Sequence, residues 1–156
     1  MLGNESDFLK GLTPDDSKLI LALGKPRALN PGDVLFDLAD EATSLYLVVE
    51  GRVDLTLPLR VGGEDEHVSV EERGKGQMLG WSALVAPYRF TLRATASTDT
   101  ELLSFPREGL QGLFSSRPDL GLVVMSNLAA IVGQRFQVFQ AMWLRQVQRA
   151  LEAGNA

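Results

Sequence analysis

The sequence predicts a mainly β domain with flanking helices, and three features of the 156-residue chain indicate it. Between residues 25 and 105, short segments of alternating apolar and polar residues recur, as at 44–49 and 52–59. Glycine-containing turns separate these segments at regular intervals, beginning with the Asn-Pro-Gly-Asp turn at 30–33. Helical patterns precede and follow the region. Many short strands with regular turns are typical of a roll or jelly roll.

Three helices are predicted around these strands. The first covers residues 13–23, where Thr13 can cap the helix and Pro14 suits its first turn. A short helix is predicted after Pro106 and a long one over 118–152. At a rise of about 1.5 Å per residue the long helix spans about 50 Å, which is longer than a compact domain of this size.

The composition is that of one globular domain. Apolar residues make up 45% of the chain and charged residues 22%, so a packed core is expected. A chain of this length fits a single domain. We divide it into an N-terminal helical segment (1–24), a β-roll (25–105) and the C-terminal helices (106–156).

The charge and the N-terminus indicate a cytoplasmic protein. A net charge of -5 gives no positive surface for phosphate backbones, so direct binding to nucleic acid is not expected. The chain has no cysteine, and its start lacks the layout of a signal peptide. No stretch approaches 18 uninterrupted apolar residues, and a membrane span is therefore not expected.

The long helix carries an apolar stripe whose members are spaced alternately by four and three residues, as in a coiled-coil seam. The stripe consists of Met125, Ala129, Val132, Phe136, Phe139 and Trp143. Because one small β-roll cannot cover so long an apolar helix, we expect a homodimer that pairs through this stripe. The alternative is that the whole helix packs on its own domain.

Several segments carry a family resemblance. LNPGDVLF at 29–36 places a turn before a strand, SLYLVVEGRV at 44–53 forms a strand, glycine turn and strand, and GQMLGWSAL at 76–84 follows. These segments resemble the cyclic-nucleotide-binding domain family, which includes the sensor halves of catabolite-activator-type regulators. The resemblance implies a double-stranded β-roll of jelly-roll or cupin-like type, with an N-terminal helix, a short helix and a long C-terminal dimerisation helix. No segment resembles the DNA-reading domain of those regulators.

The resemblance also implies that residues 76–84 are a phosphate-binding cassette, which in the family reads Gly-Glu-x-Ala-Leu. Trp81 stands at the glutamate position, and an indole, with one donor and no acceptor, cannot hold a ribose hydroxyl. Counting without gaps places Phe90 at the position of the family's phosphate-binding arginine, with Arg89 one residue earlier. Both charged contacts to a cyclic nucleotide are therefore expected to be lost.

The expected ligand pocket is this degenerate cassette, formed by Gly80, Trp81, Ser82, Ala83, Leu84, Tyr88, Arg89 and Phe90. In the first interpretation its aromatic side chains fill an unused pocket. In the second, they line a site for an apolar or aromatic ligand. In the third, a one-residue slip turns Arg89 inward, and the protein senses cyclic AMP or cyclic GMP through Arg89, Ser82 and backbone amides.

We expect no arrangement of catalytic residues in this chain. A cupin-like metalloenzyme, kept as a second alternative function, needs several histidines, but His67 is the only one and lies in a charged hairpin. With no cysteine and one histidine, no nucleophile and base can be paired. The nearby carboxylates are interpreted as a solvated face: Asp65, Glu66, Glu71 and Glu72. The expected function is a regulatory ligand-binding or interaction module without a catalytic site, metal or cofactor, and a protein partner is left open.

Overall fold

Eight strands form two four-stranded antiparallel sheets in the computed structural model, which describes residues 6–155. The first sheet contains, in spatial order, β1 (Lys25–Leu29), β8 (Thr100–Pro106), β3 (Ser44–Glu50) and β6 (Met78–Leu79). The second contains β2 (Val34–Phe36), β7 (Arg93–Ala96), β4 (Arg52–Val61) and β5 (Glu64–Gly74). Residues 1–5 of the predicted N-terminal segment and residue 156 lie outside the described residues.

The hydrophobic core contains residues of both sheets and of the helices. Residues 45–48 of β3 are all buried, because this strand has neighbours on both faces. Tyr46 contacts Phe36 of the opposite sheet. Leu45 pairs with Phe105 of β8, whose ring contacts Phe8 of the N-terminal segment. The predicted mainly β architecture, a β-roll with flanking helices, is confirmed.

Three α-helices frame the roll. In α1 (Pro14–Leu21) the Thr13 hydroxyl accepts the Asp16 N–H at 3.2 Å, a cap that satisfies one free donor of the first turn. The other two are α2 (Arg107–Ser116) and α3 (Pro118–Gly154).

The first half of α3 packs on the core through four buried side chains, which are Leu120, Val124, Leu128 and Ile131. Asn127 donates hydrogen bonds to the carbonyl oxygens of Phe8 and Lys10, at 2.9 and 2.8 Å, and thereby fixes the N-terminal segment to this helix. Beyond Phe139 the helix is largely exposed within the described chain.

The length and hydropathy of α3 meet the usual test for a membrane-spanning helix. An 18-residue window of it has a mean hydropathy of 1.3. A core helix of a soluble protein passes the same test. Here Arg135 lies in the middle of α3 with a buried guanidinium, and it pairs with Glu71 of the roll. That contact belongs to a helix packed on its domain.

The β3–β4 turn depends on a glycine. Gly51 has a φ of 93°, which side-chain-bearing residues rarely adopt. A Cβ on Gly51 would also lie 2.3 Å from the Asp99 carbonyl oxygen of the neighbouring connection. In the β4–β5 turn, Gly62 has a φ of 59°, but nothing lies within 4 Å of its Cβ position.

We expect Gly51→Ala to destabilise the protein more than Gly62→Ala. The Gly62 substitution incurs only left-handed backbone strain of about 1 kcal/mol. The Gly51 substitution adds a steric overlap that costs about 1–3 kcal/mol more. Urea unfolding of both variants measures the difference, and equal losses would show that the close approach to Asp99 is unimportant.

Candidate functional site

The cassette segment forms a 3₁₀ turn (Trp81–Leu84) directly after β6. Gly80, with a φ of 80°, redirects the chain between the two elements. A Cβ there would lie 3.2 Å from the Phe90 ring and 3.3 Å from the Tyr46 ring. The absence of a side chain at this position therefore lets two aromatic rings approach the turn closely.

Aromatic rings stack inside the roll at this point. The ring centroids of Phe36 and Phe90 lie 3.6 Å apart with 10° between their planes. Tyr46 also packs against Phe36, with its centroid 6.1 Å from that of Phe36 and 26° between the ring planes. All three residues are buried, and burial raises the pKa of the Tyr46 hydroxyl. The rings occupy space between the two sheets.

The cavity that remains beside the stack has a volume of about 10 Å³. A water molecule needs about 10–15 Å³ in this measure, whereas ligand pockets usually span about 300–1,000 Å³. The site is therefore closed to a nucleotide in this conformation. The cavity is lined by Phe36, Leu55, Gly80, Trp81, Ser82, Phe90, Thr91, Leu92 and Arg135.

Four of the eight predicted pocket residues line this cavity: Gly80, Trp81, Ser82 and Phe90. The other four do not line it. Ala83 is fully buried in the core, and Leu84 packs against its edge at the end of the 3₁₀ turn. Tyr88 and Arg89 lie outside the cavity because the chain reverses at Tyr88, which has a φ of 61°.

The residues before Phe90 are held by contacts at the surface. The Tyr88 ring lies under the Arg107 guanidinium, 4.2 Å from the ring centroid, as in a cation–π interaction. Arg89 is exposed and donates to the Ala39 carbonyl oxygen at 3.4 Å. In this structure Arg89 therefore faces solvent, while Phe90 lies inside the roll.

The wall of the cavity also includes a cationic side chain, Arg135, that the sequence interpretation missed. Arg135 of α3 is 7% exposed, and its Nε and Nη2 donate to Glu71 Oε2 at 3.1 and 2.9 Å. Desolvation lowers the pKa of Arg135, and the Glu71 charge opposes that shift. A sequence signal existed, because Arg135 continues the buried spacing of Leu128 and Ile131 along one helix face.

Glu71 belongs to a partly buried ionic network and is not part of a solvated face, contrary to the prediction. Its Oε1 lies 3.2 Å from Arg73 Nη2, and Arg73 Nη1 lies 3.4 Å from Asp7 Oδ2. Asp7 Oδ1 also accepts the Met78 N–H at 2.9 Å. Burial raises the pKa of Asp7, although these contacts oppose it. The network joins the N-terminal segment, β5 and α3.

The predicted pairing stripe of α3 is largely uncovered in the protomer. Met125, Phe136 and Trp143 are 37%, 63% and 66% exposed. Ala129 is also exposed, while Val132 and Phe139 are partly buried against the core of their own domain. The helix thus combines a domain-facing side with an exposed apolar side.

The carboxylates and the histidine do not assemble into a metal site in the part of the chain that the structure describes. No group of three His, Asp or Glu side chains with suitable spacing occurs in residues 6–155. His67 is exposed on β5, on the long hairpin with β4.

The roll, the cassette turn and the long helix together define a cyclic-nucleotide-binding type of domain. The sequence profile of the family described as "Cyclic nucleotide-binding domain" matches residues 26–117, which is more than half of the chain. The chain belongs to this family. The fold and the family are those of regulatory domains.

Individual proteins agree with this assignment. The catabolite activator protein of Thermus thermophilus is 29% identical, with a TM-score of 0.74 over 92% of this chain and 63% of its own. A cyclic nucleotide-binding domain from Methylobacillus flagellatus, 16% identical, shares the fold at a TM-score of 0.77 over 92% of this chain and 80% of its own. The lysophospholipase nte1 of Neurospora crassa is 30% identical over 65% of this chain, which corresponds to 6% of that protein.

We expect Phe90→Ala to lower the free energy of unfolding by about 3–5 kcal/mol, because it removes a buried ring from the stack and leaves a cavity. Arg89→Ala, one residue away but exposed, should change it by less than about 0.5 kcal/mol. Denaturant unfolding monitored by circular dichroism compares the two. A larger loss for Arg89→Ala would contradict the orientation of this segment.

Proposed function

We propose that this chain is a regulatory module that does not bind cyclic AMP in the way the family usually does. The observation that supports this proposal is the stack of Phe90 on Phe36 at 3.6 Å, which leaves a cavity of about 10 Å³. A cyclic nucleotide would have to displace a buried ring before it could enter. Phe90 also supplies no charge for its phosphate.

The polar contacts of a cyclic nucleotide would be lost as well. Trp81 lines the cavity at the position of the family's glutamate and offers no acceptor for a ribose hydroxyl. Arg89 is exposed, with its guanidinium on the Ala39 carbonyl oxygen. The two missing charge-assisted hydrogen bonds, at about 1.5–3 kcal/mol each, correspond to a loss of about two to four orders of magnitude in affinity.

The module is further proposed to act without catalysis and in the cytoplasm. The similarity to the lysophospholipase covers 6% of that protein and falls on the segment that matches the family profile here. The chain spans a small fraction of the curated relatives it matches. We therefore assign it a regulatory part and attribute no lysophospholipase activity to it.

The regulatory signal of the module is proposed to be transmitted through a homodimer that forms along α3. Side chains on the exposed side of α3 include Phe136, Trp143, Leu144 and Leu151, all more than half exposed. Residues 140–154 extend about 22 Å past the last core contact at about 1.5 Å per residue. An isolated helix of this length is marginal in water, and a second copy with the same stripe would cover it symmetrically.

Calorimetric titration tests the closed pocket. Wild-type protein should give no saturable heat with cyclic AMP or cyclic GMP. The double variant Trp81→Glu and Phe90→Arg restores the acid and the guanidinium, and should gain affinity by at least about a hundredfold. Arg89→Ala is the matched control, because this exposed cation should make no difference. Micromolar binding by the wild type that Arg89→Ala abolishes would contradict the proposal.

Light scattering tests the dimer. The wild type should have about twice the protomer mass of 17.0 kDa. Trp143→Asp should be a folded monomer. Trp143 is exposed in the protomer, so the substitution does not disturb the fold, but in the dimer the new carboxylate would be buried in the seam without a partner. Ala141→Asp places the same charge about 200° around the helix from Trp143, outside the stripe, and should leave the mass unchanged. A wild-type monomer, or a Trp143→Asp dimer, would refute the pairing.

A further inference from the structure

The β4–β5 hairpin extends beyond the roll as a two-stranded arm, residues 57–68. The neighbouring strand β7 pairs with β4 only at residues 53–56, so among the described strands β4 and β5 have only each other as partners in the arm. Residues 58–69 are all exposed. An isolated two-stranded hairpin is marginally stable at best in water. A surface that packs against the arm would therefore stabilise it.

One face of the arm is apolar. Leu57, Leu59 and Val61 follow at every second position of β4, on the side where Leu55 faces the core. Val68 lies opposite Leu57 on the same side. Leu59 and Val61 are half exposed. The arm thus carries the core-facing side of its sheet out into solvent.

Two contacts along α3 give the direction of β5 relative to this helix. Asn127 binds the N-terminal segment, in which Asp7 donates its N–H to the Gly76 carbonyl oxygen just after β5 ends. About two turns later in α3, Arg135 binds Glu71 within β5. Because a later helix position contacts an earlier strand position, α3 and β5 run in opposite directions. The helix beyond Arg135 therefore extends on the same side as the arm.

The apolar face of the arm lies at the level of two exposed leucines of α3. From the ion pair between α3 and β5, the strand rises by about 16 and 23 Å to the pairing partners of Leu59 and Val61, at about 3.3 Å per residue. From the same ion pair, the helix rises by about 14 and 24 Å to Leu144 and Leu151. Both leucines are more than half exposed. The two apolar surfaces match in height.

Leu144 and Leu151 lie on the flank of α3 that is turned away from its own roll. At about 100° per residue, they lie about 100° and 80° around the helix from Trp143 of the apolar stripe, in the same sense. Arg135, which contacts the roll, lies about 80° from Trp143 in the opposite sense. In a dimer whose parallel helices pair along the stripe about a two-fold axis, the flank with the leucines faces the roll of the partner.

The charges favour the helix over a second arm as the surface that the arm contacts. The turn end of the arm carries three acids in succession, Glu64, Asp65 and Glu66, so two arms placed side by side would repel each other. The end of α3 at the same height carries Arg145 and Arg149. An acidic arm is therefore attracted to this end of the helix pair.

From this geometry we infer that, in the homodimer, the arm of each copy packs on the C-terminal half of the other copy's α3. Leu59 then contacts Leu144 of the partner subunit, and Val61 contacts Leu151 of the partner subunit. The inference rests on the proposed dimer and deepens it, because it adds a second interface and requires the two helices to be parallel. It also gives each roll a direct contact with the other copy's helix.

Cysteine cross-linking tests which chain the arm packs on, since the sequence has no cysteine. The double variant Leu59→Cys and Leu144→Cys should form disulfides between copies on mild oxidation, because a disulfide requires Cα atoms within about 7 Å of each other. Both side chains are exposed in the protomer, so the substitutions should leave the fold intact. The product on a non-reducing gel should be a covalent dimer.

The matched control moves the first cysteine to the other face of the same arm. Arg60→Cys combined with Leu144→Cys should give at least about tenfold less covalent dimer, because Arg60 alternates with Leu59 and points away from the helix pair. Leu144→Cys alone should give none, since Leu144 lies beside the stripe and not in it.

Hydrogen exchange tests whether the dimer protects the arm. In Trp143→Asp, the variant expected to be a monomer, the backbone amides at 57–61 should exchange at least about tenfold faster than in the wild type. The amides at 45–48 of the buried strand β3 are the internal control for a general loss of stability, and the change in the arm is measured relative to them.

Three results would overturn the inference while leaving the dimer in place: disulfides within single chains, equal covalent dimer from the Leu59 and Arg60 variants, or arm amides that exchange equally fast in the wild type and in Trp143→Asp. Failure of the proposed dimer has a different signature. It would appear in light scattering as a wild-type mass of one protomer, and it would overturn both.

Discussion

The contact between Phe36 and Phe90 is the interaction on which the proposed function depends. It joins β2 to the segment that precedes β7, and it fills the interior of the roll near the cassette turn. Gly80 has no side chain, and this permits the close approach of Phe90 and Tyr46. A family whose members enclose a sugar phosphate is represented here by a roll with a nearly solid interior. In the proposed function, the scaffold of the family is retained while these rings occupy the space that a nucleotide would need.

The second organising contact links the closed pocket to the long helix. Arg135 extends from α3 to Glu71 on β5, and Glu71 connects through Arg73 to Asp7 of the N-terminal segment. A buried ion pair of this kind contributes little net stability, but the loss of one partner is costly because the other charge remains buried. The position of α3 on the roll therefore depends on this ion pair.

Much of the fold could be predicted from the sequence because its signals are local. Alternating segments and turn glycines indicate strands, and the cap at Thr13 and the prolines indicate helix starts. The candidate site was harder to predict from the sequence. The ring that packs on Phe90 comes from β2, and the partner of Arg135 lies 64 residues away on another element, so neither pair has a sequence-local signature. The left-handed backbone at Tyr88 also has no clear sequence signal, and in the structure Tyr88 and Arg89 lie outside the cavity. Arg135 itself could have been found, as the lone basic residue on the buried face of an apolar helix.

The most direct measurement of the central claim is a crystal structure of the wild-type protein grown with a large excess of cyclic AMP. The account predicts that Phe90 lies on Phe36 and that no nucleotide density occurs between the sheets. A nucleotide bound inside the roll, with its phosphate against Arg89 and Phe90 displaced, would contradict it.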